Sequence, residues 1–132
     1  MSYDFLIEKA KEAREKAYVK YSNFKVGAAL LGKSGKIYTG CNIENASYGA
    51  TICAERTAFT KAISEGEKEF EAIAIVSSSD DITYPCGICR QFMSEFGLDL
   101  KLIFTDGHKI VTYKLSDLLP YAFTEFEAIK EV

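Results

Sequence analysis

The sequence predicts a layered α/β domain built on one central five-stranded sheet. Three observations carry this. Helical and strand-like patterns alternate along the chain, which is the signature of helices packed on a sheet. Residues 24–31, Phe-Lys-Val-Gly-Ala-Ala-Leu-Leu, are small or apolar at nearly every position, as in a strand covered on both faces. Only about five residues join the last two strand patterns, too few for a parallel crossover, so those two run antiparallel.

The elements follow in order. Residues 3–21 read as a helix, because Leu6, Ala10, Ala13 and Ala17 recur at 4-3-4 spacing on one face. Residues 24–31 and 36–42 form a hairpin around the turn Gly32-Lys33-Ser34-Gly35. A polar loop runs from Asn42 to Ala50. Thr51 is placed to cap a helix over about 52–65 that stops near Gly66. Residues 71–77 are a short buried strand. Pro85 opens a helix, where its missing N–H costs nothing; Ile88, Phe92 and Phe96 mark the buried side and Gly97 closes it. Strands at 99–104 and 110–113 follow, then a helical turn at 116–119. Thr124 and Glu127 have capping-box spacing for a last helix.

Size and charge narrow the function. A chain of 132 residues suits one domain, expected to span 1–132. It carries a net charge of -3 with no Lys/Arg cluster, unlike a polynucleotide binder. No apolar run is long enough to cross a bilayer and no signal-peptide pattern opens the chain. The expectation is a cytoplasmic protein with a small ligand and neither membrane nor nucleic-acid partners. Four cysteines in such a chain point to metal or catalysis before disulfides.

Three of the four cysteines lie in two stretches, Thr51-Ile52-Cys53-Ala54-Glu55-Arg56 and Pro85-Cys86-Gly87-Ile88-Cys89-Arg90-Gln91. Cys86 and Cys89 are three apart at a helix start and so share a face. Both helices leave the carboxyl ends of strands, the edge where such sheets place their sites. Three thiolates form a soft donor set that suits zinc. A structural zinc takes four protein ligands, whereas a catalytic zinc keeps one position open. Three cysteines with a nearby carboxylate fit the open kind. Thiolates donate strongly and leave zinc a weaker Lewis acid. Arg56 offsets this if it donates hydrogen bonds to the cysteine sulfurs.

The chain resembles the small homotetrameric zinc-dependent cytidine deaminases over essentially its whole length. The resemblance rests on Phe24-Lys25-Val26-Gly27-Ala28-Ala29, on Asn42-Ile43-Glu44-Asn45-Ala46-Ser47-Tyr48-Gly49, and on the two cysteine stretches. It implies a three-layer α/β/α fold with a mixed sheet. It implies one zinc per chain on Cys53, Cys86 and Cys89, and Glu55 as the proton shuttle while zinc-bound hydroxide attacks C4 of the pyrimidine. Phe24 would stack on the base, Asn42 and Glu44 would bind ribose hydroxyls, and the Ala54 backbone would touch the base. Ala46, Tyr48 and Phe123 would reach a neighbouring subunit's site in a homotetramer. The implied reaction is deamination of cytidine and 2′-deoxycytidine to the uridines, a step of pyrimidine salvage. The chain departs from the family at Tyr121, where a small residue is usual.

Other readings of the same residues exist. A related aminohydrolase acting on another cytosine nucleoside, of antibiotic type, would share the zinc motifs. A structural zinc protein would recruit Cys41 as a fourth ligand; otherwise Cys41 is a buried strand thiol. A polynucleotide editor would carry a crossover helix in place of the tight hairpin near the end. A redox protein built on Cys86 and Cys89 leaves Cys53 and Glu55 without a role. His108 follows an Asp-Gly turn and is expected in solvent.

Overall fold

The computed structural model describes residues 2–125. Helix α1 (Asp4–Arg14) precedes a hairpin of β1 (Val26–Gly32) and β2 (Ile37–Cys41). A 3-10 turn, Tyr48–Ala50, leads into α2 (Ala54–Ser64). Strand β3 (Phe70–Ser77), α3 (Gly87–Ser94), β4 (Lys101–Thr105), β5 (Ile110–Lys114) and a short α4 (Leu115–Leu118) complete the order. The five strands lie as β2-β1-β3-β4-β5. Only β3 and β4 pair in parallel, across the α3 crossover, and β4 and β5 run antiparallel as expected.

Strand β1 explains the layering. All seven of its residues are buried. Ala29 and Leu31 join Leu6, Ile7 and Ala10 of α1 on one face; Ala28 and Leu30 join Ala58, Phe59 and Ala62 of α2, with Met93 of α3, on the other. Two apolar faces need two covering layers, and the result is the expected α/β/α sandwich. Two glycines let the layers close. A Cβ on Gly27 would overlap the Ala10 carbonyl and Arg14 of α1, and one on Gly40 would overlap the Ala54 carbonyl and the Ala58 nitrogen of α2.

The sheet topology also places the site. β2 and β3 both run opposite to β1. They therefore point the same way, and the connections into α2 and α3 leave from one edge.

Several boundaries differ from the sequence reading. Helix α1 stops at Arg14 instead of 21. Tyr18 instead bridges to Ile43, donating its N–H to the Asn42 carbonyl and accepting from Glu44 N–H. Tertiary pairing there overrides the helical period of Ala17. Cys53, and not Thr51, is the N-cap residue of α2. Thr51 uses its hydroxyl to accept Asn45 N–H at 3.2 Å. Pro85 lies outside α3, whose N-cap is Cys86, with its sulfur accepting Cys89 N–H at 3.4 Å. Ile88 is 67 % exposed, because the inward stripe of α3 runs through Cys89 and Met93. Cys41 is half-buried and His108 exposed. Thr124 and Glu125 are not helical, and the rest of the expected last helix lies outside the described residues. Tyr121 has φ 55°, the left-handed region that favours glycine.

Candidate metal centre and adjoining cavity

The two cysteine stretches meet at the carboxyl edge of the sheet. Cys53 and Cys86 are the N-cap residues of α2 and α3, and Cys89 lies in the first turn of α3. The three sulfurs all fall within 4.8 Å of one another. Cys53 and Cys86 are 3.9 Å apart. Sulfurs about 2.3 Å from a tetrahedral zinc are separated by roughly 3.8 Å, so the spacing already suits the ion. Cys41 is not part of the cluster.

Electrostatics favour negative charge here. Two helix N-termini face the trio, and each favours an anion by roughly 0.3–1 kcal/mol. The Cys53 thiol is lowered to about 5, first by a hydrogen bond from Cys89 and then by Arg56. The Cys89 thiol is pushed up because it holds its proton toward Cys53, and by burial. The trio thus favours the thiolate at Cys53, the form in which a cysteine binds a cation. Arg56 donates from Nη2 to the Cys53 sulfur at 3.6 Å, as the sequence suggested. Its Nε is buried and has no hydrogen-bond partner among the described residues.

A cavity of about 220 Å³ opens beside the sulfurs. Phe24, Val26, Asn42, Ala54, Glu55, Cys53 and Cys86 contribute to its walls, together with Thr83 and Tyr84. Glu55 is only 4 % exposed. Burial raises its carboxyl to about 7, and the Cys53 charge adds to the rise. The Asn42 amide is partly engaged: Oδ1 accepts Val26 N–H at 2.9 Å and Nδ2 donates to the Phe24 carbonyl at 2.9 Å. Asn42 therefore also fixes the backbone that carries Phe24.

Glu44 lines a neighbouring cavity with Tyr21, Ser22, Asn45 and Tyr48; Thr51 borders both cavities. Its Oε1 accepts Tyr21 N–H at 2.9 Å and Ser22 N–H at 3.1 Å, and Oε2 accepts the Ser22 hydroxyl. These bonds, the Ser22 hydroxyl foremost, hold its carboxyl below the usual range. Tyr48 and Phe123 are 77 % and 64 % exposed, and Ala46 is exposed. Neither Phe123 nor Ala46 lines these cavities; Gln91 donates to the Phe123 carbonyl at 2.7 Å.

The sequence reading missed Thr83 and Tyr84 as cavity walls. Tyr84 packs its ring 5.1 Å from Phe104 and 6.2 Å from Tyr113, a contact that no local pattern reveals.

Comparisons with known proteins agree with this geometry. The cytidine and deoxycytidylate deaminase zinc-binding region matches residues 1–105. A cytidine deaminase of Halalkalibacterium halodurans is 51 % identical over 126 residues, 94 % of this chain and 96 % of that one. The crystal structure of a Burkholderia pseudomallei cytidine deaminase superposes with a TM-score of 0.88 at 50 % identity, covering 93 % of this chain and 100 % of that one. A blasticidin-S deaminase of Bacillus cereus is more distant, 32 % identical over 89 % of this chain and 91 % of its own. The three cysteines that fit zinc therefore sit in a fold and a sequence of one kind, and the chain belongs to the zinc-binding cytidine and deoxycytidylate deaminase family.

Proposed function

We propose that this protein hydrolyses cytidine and 2′-deoxycytidine to the uridines with release of ammonia. One observation carries the reading: a buried carboxyl, Glu55, shares a cavity with the zinc-fitting sulfurs, and burial pushes it up to about 7. Cys53, Cys86 and Cys89 would hold the zinc, which when bound would supply a nucleophilic water at neutral pH. Glu55 would take one proton from the attacking water and give it to N3 of the ring as the C4–O bond forms. It would then take the second proton from the new C4 hydroxyl and give it to the amine, so that ammonia leaves as the C4–N bond breaks and the uridine carbonyl forms. A carboxyl that burial raises in this direction suits a group that takes and returns protons. Its burial keeps bulk water from short-circuiting the transfer.

Phe24 is 39 % exposed on the cavity wall, which suits stacking on a pyrimidine, and Ala54, which lines the same cavity, would touch the base through its backbone. Asn42 keeps one acceptor site and one N–H for a ribose hydroxyl. Glu44 spends three of its acceptor sites on Tyr21 and Ser22, which leaves about one for the sugar. Its charge, held by those same bonds, disfavours a 5′-phosphate. Exposed Tyr48 and Phe123 suit contact with a neighbouring subunit, in keeping with a homotetramer whose sites are completed by other copies; Ala46 lies on the same loop as Tyr48. No helix among the described residues is long and apolar enough to cross a membrane. Thiols that must stay reduced to hold zinc suit the cytoplasm, where a salvage enzyme would act.

The second reading is activity on an antibiotic nucleoside, favoured by the blasticidin-S deaminase relative. A panel of cytidine, 2′-deoxycytidine, cytidine monophosphate and blasticidin S, followed by absorbance, separates the two. The expected order puts both nucleosides far above the monophosphate and the antibiotic in kcat/KM. Comparable values for cytidine and its monophosphate contradict the role of Glu44, and a preference for blasticidin S contradicts the substrate assignment.

A further inference from the structure

Arg90 has no role in the proton transfer, yet it encloses the most exposed member of the sulfur trio. Cys86 is exposed, whereas Cys53 is half-buried and Cys89 buried. Packing fixes Cys89, while the geometry of Cys86 depends on its backbone. That backbone has extended N-cap angles, φ -68° and ψ 168°. The two peptide planes that define them end in the Pro85 and Cys86 carbonyls. Arg90 holds both. Its Nε donates to the Pro85 carbonyl at 2.8 Å, and its backbone N–H donates to the Cys86 carbonyl at 3.0 Å. The other arm of the guanidinium, Nη1, donates to the Leu118 carbonyl at 2.8 Å, in the last turn of α4. That carbonyl has no partner within its own helix. One planar side chain thus ties the residue before a metal ligand to a second element, α4, anchored in the core by Leu115.

We propose that Arg90 is a positioning residue for the metal centre: it clamps the Pro85–Cys86 peptide against α4 and so holds the Cys86 sulfur in ligating geometry. The inference rests on the zinc reading above. Fixing the orientation of a ligand from outside the coordination sphere typically changes metal affinity by about 10–100-fold. A fork of two donors set at a fixed angle is needed to reach both carbonyls, so lysine is a partial substitute only.

The test is zinc release from the loaded protein into a chromogenic chelator, at a temperature where near-ultraviolet circular dichroism shows every variant folded. Wild type is expected to hold about one zinc per chain. Arg90→Gln is expected to release it about 10–100-fold faster, and Arg90→Lys to fall between the two. Cobalt-substituted Arg90→Gln is expected to show an altered visible spectrum, because the Cys86 ligand moves. A lowered melting temperature with unchanged release rate and spectrum overturns the proposal, since Arg90 then only braces α4. If Arg90→Gln does not fold, Arg90→Lys carries the comparison, and a wild-type release rate in it overturns the proposal equally. A wild-type protein without zinc overturns the zinc reading and this inference together; zinc retained equally by wild type and variants overturns this inference alone.

Discussion

Replacing Glu55 with glutamine should stabilise the metal-free protein, and the gain should appear only as pH rises. The group is nearly fully buried, and burial lifts its carboxyl from 4.5 to about 7. An acid whose pKa is raised by folding is ionised first in the unfolded chain. Below about pH 4.5 both states hold the proton and Glu55 costs nothing. Between 4.5 and 7 the unfolded state gains the advantage, and above 7 the penalty is constant. A shift of this size corresponds to about 3 kcal/mol. The penalty in wild type is only about 1 kcal/mol at pH 5 and reaches about 3 kcal/mol at pH 8. Glutamine keeps the shape without the charge, so the stability of Glu55→Gln over wild type should grow by about 2 kcal/mol between those values. Urea unfolding of chelator-treated, reduced protein at matched chain concentration measures this. Turnover of the zinc-loaded variant should fall by roughly two to four orders of magnitude, the usual contribution of a positioned proton shuttle. A variant that is less stable than wild type at pH 8, or a difference independent of pH, would refute the placement of Glu55 as a buried, desolvated carboxyl.

Three further outcomes are expected. Arg56→Gln removes a cation that hydrogen-bonds the Cys53 sulfur; it should weaken zinc retention or move the rise of activity to higher pH, and an unchanged chelator titration and pH–rate profile together would contradict that role. Cys41→Ser lies outside the sulfur trio and should leave zinc stoichiometry intact, with a stability change within about 1 kcal/mol; loss of the metal would point instead to a closed four-sulfur site. Gly40→Ala drives a methyl group into the Ala54 carbonyl and the Ala58 nitrogen, so α2 must shift; overpacking of this kind costs typically 1–3 kcal/mol, and kcat should fall with it because α2 carries Glu55 and begins at Cys53. Normal urea stability and kcat would show that the close approach is not needed.

Much of this was legible in the chain because its strongest signals are local. The doubly apolar run at 26–31 fixes a central strand whatever the rest does, and the short link between β4 and β5 fixes their sense. The sulfur trio was legible for the same reason: two short motifs, each at a helix start, leave one sheet edge. What local pattern could not supply was tertiary competition. Ala17 keeps helical spacing, but Tyr18 gains more by bridging to Ile43. Ile88 is apolar and sits at i-4 from Phe92, yet the inward position of α3 belongs to Cys89 of the sulfur trio. Thr51 and Pro85 have ordinary helix-start chemistry, but both N-caps are taken by cysteines whose sulfurs face the metal centre. The double duty of Glu44 and Asn42, bracing loops while lining cavities, depends on partners 16–23 residues away and leaves no trace in spacing.

The most direct measurement is X-ray absorption at the zinc edge of the loaded protein. Three sulfurs near 2.3 Å and one light ligand near 2.0 Å are the predicted first coordination sphere. Four sulfur neighbours, or a folded protein that takes up no zinc, would contradict the account at its centre.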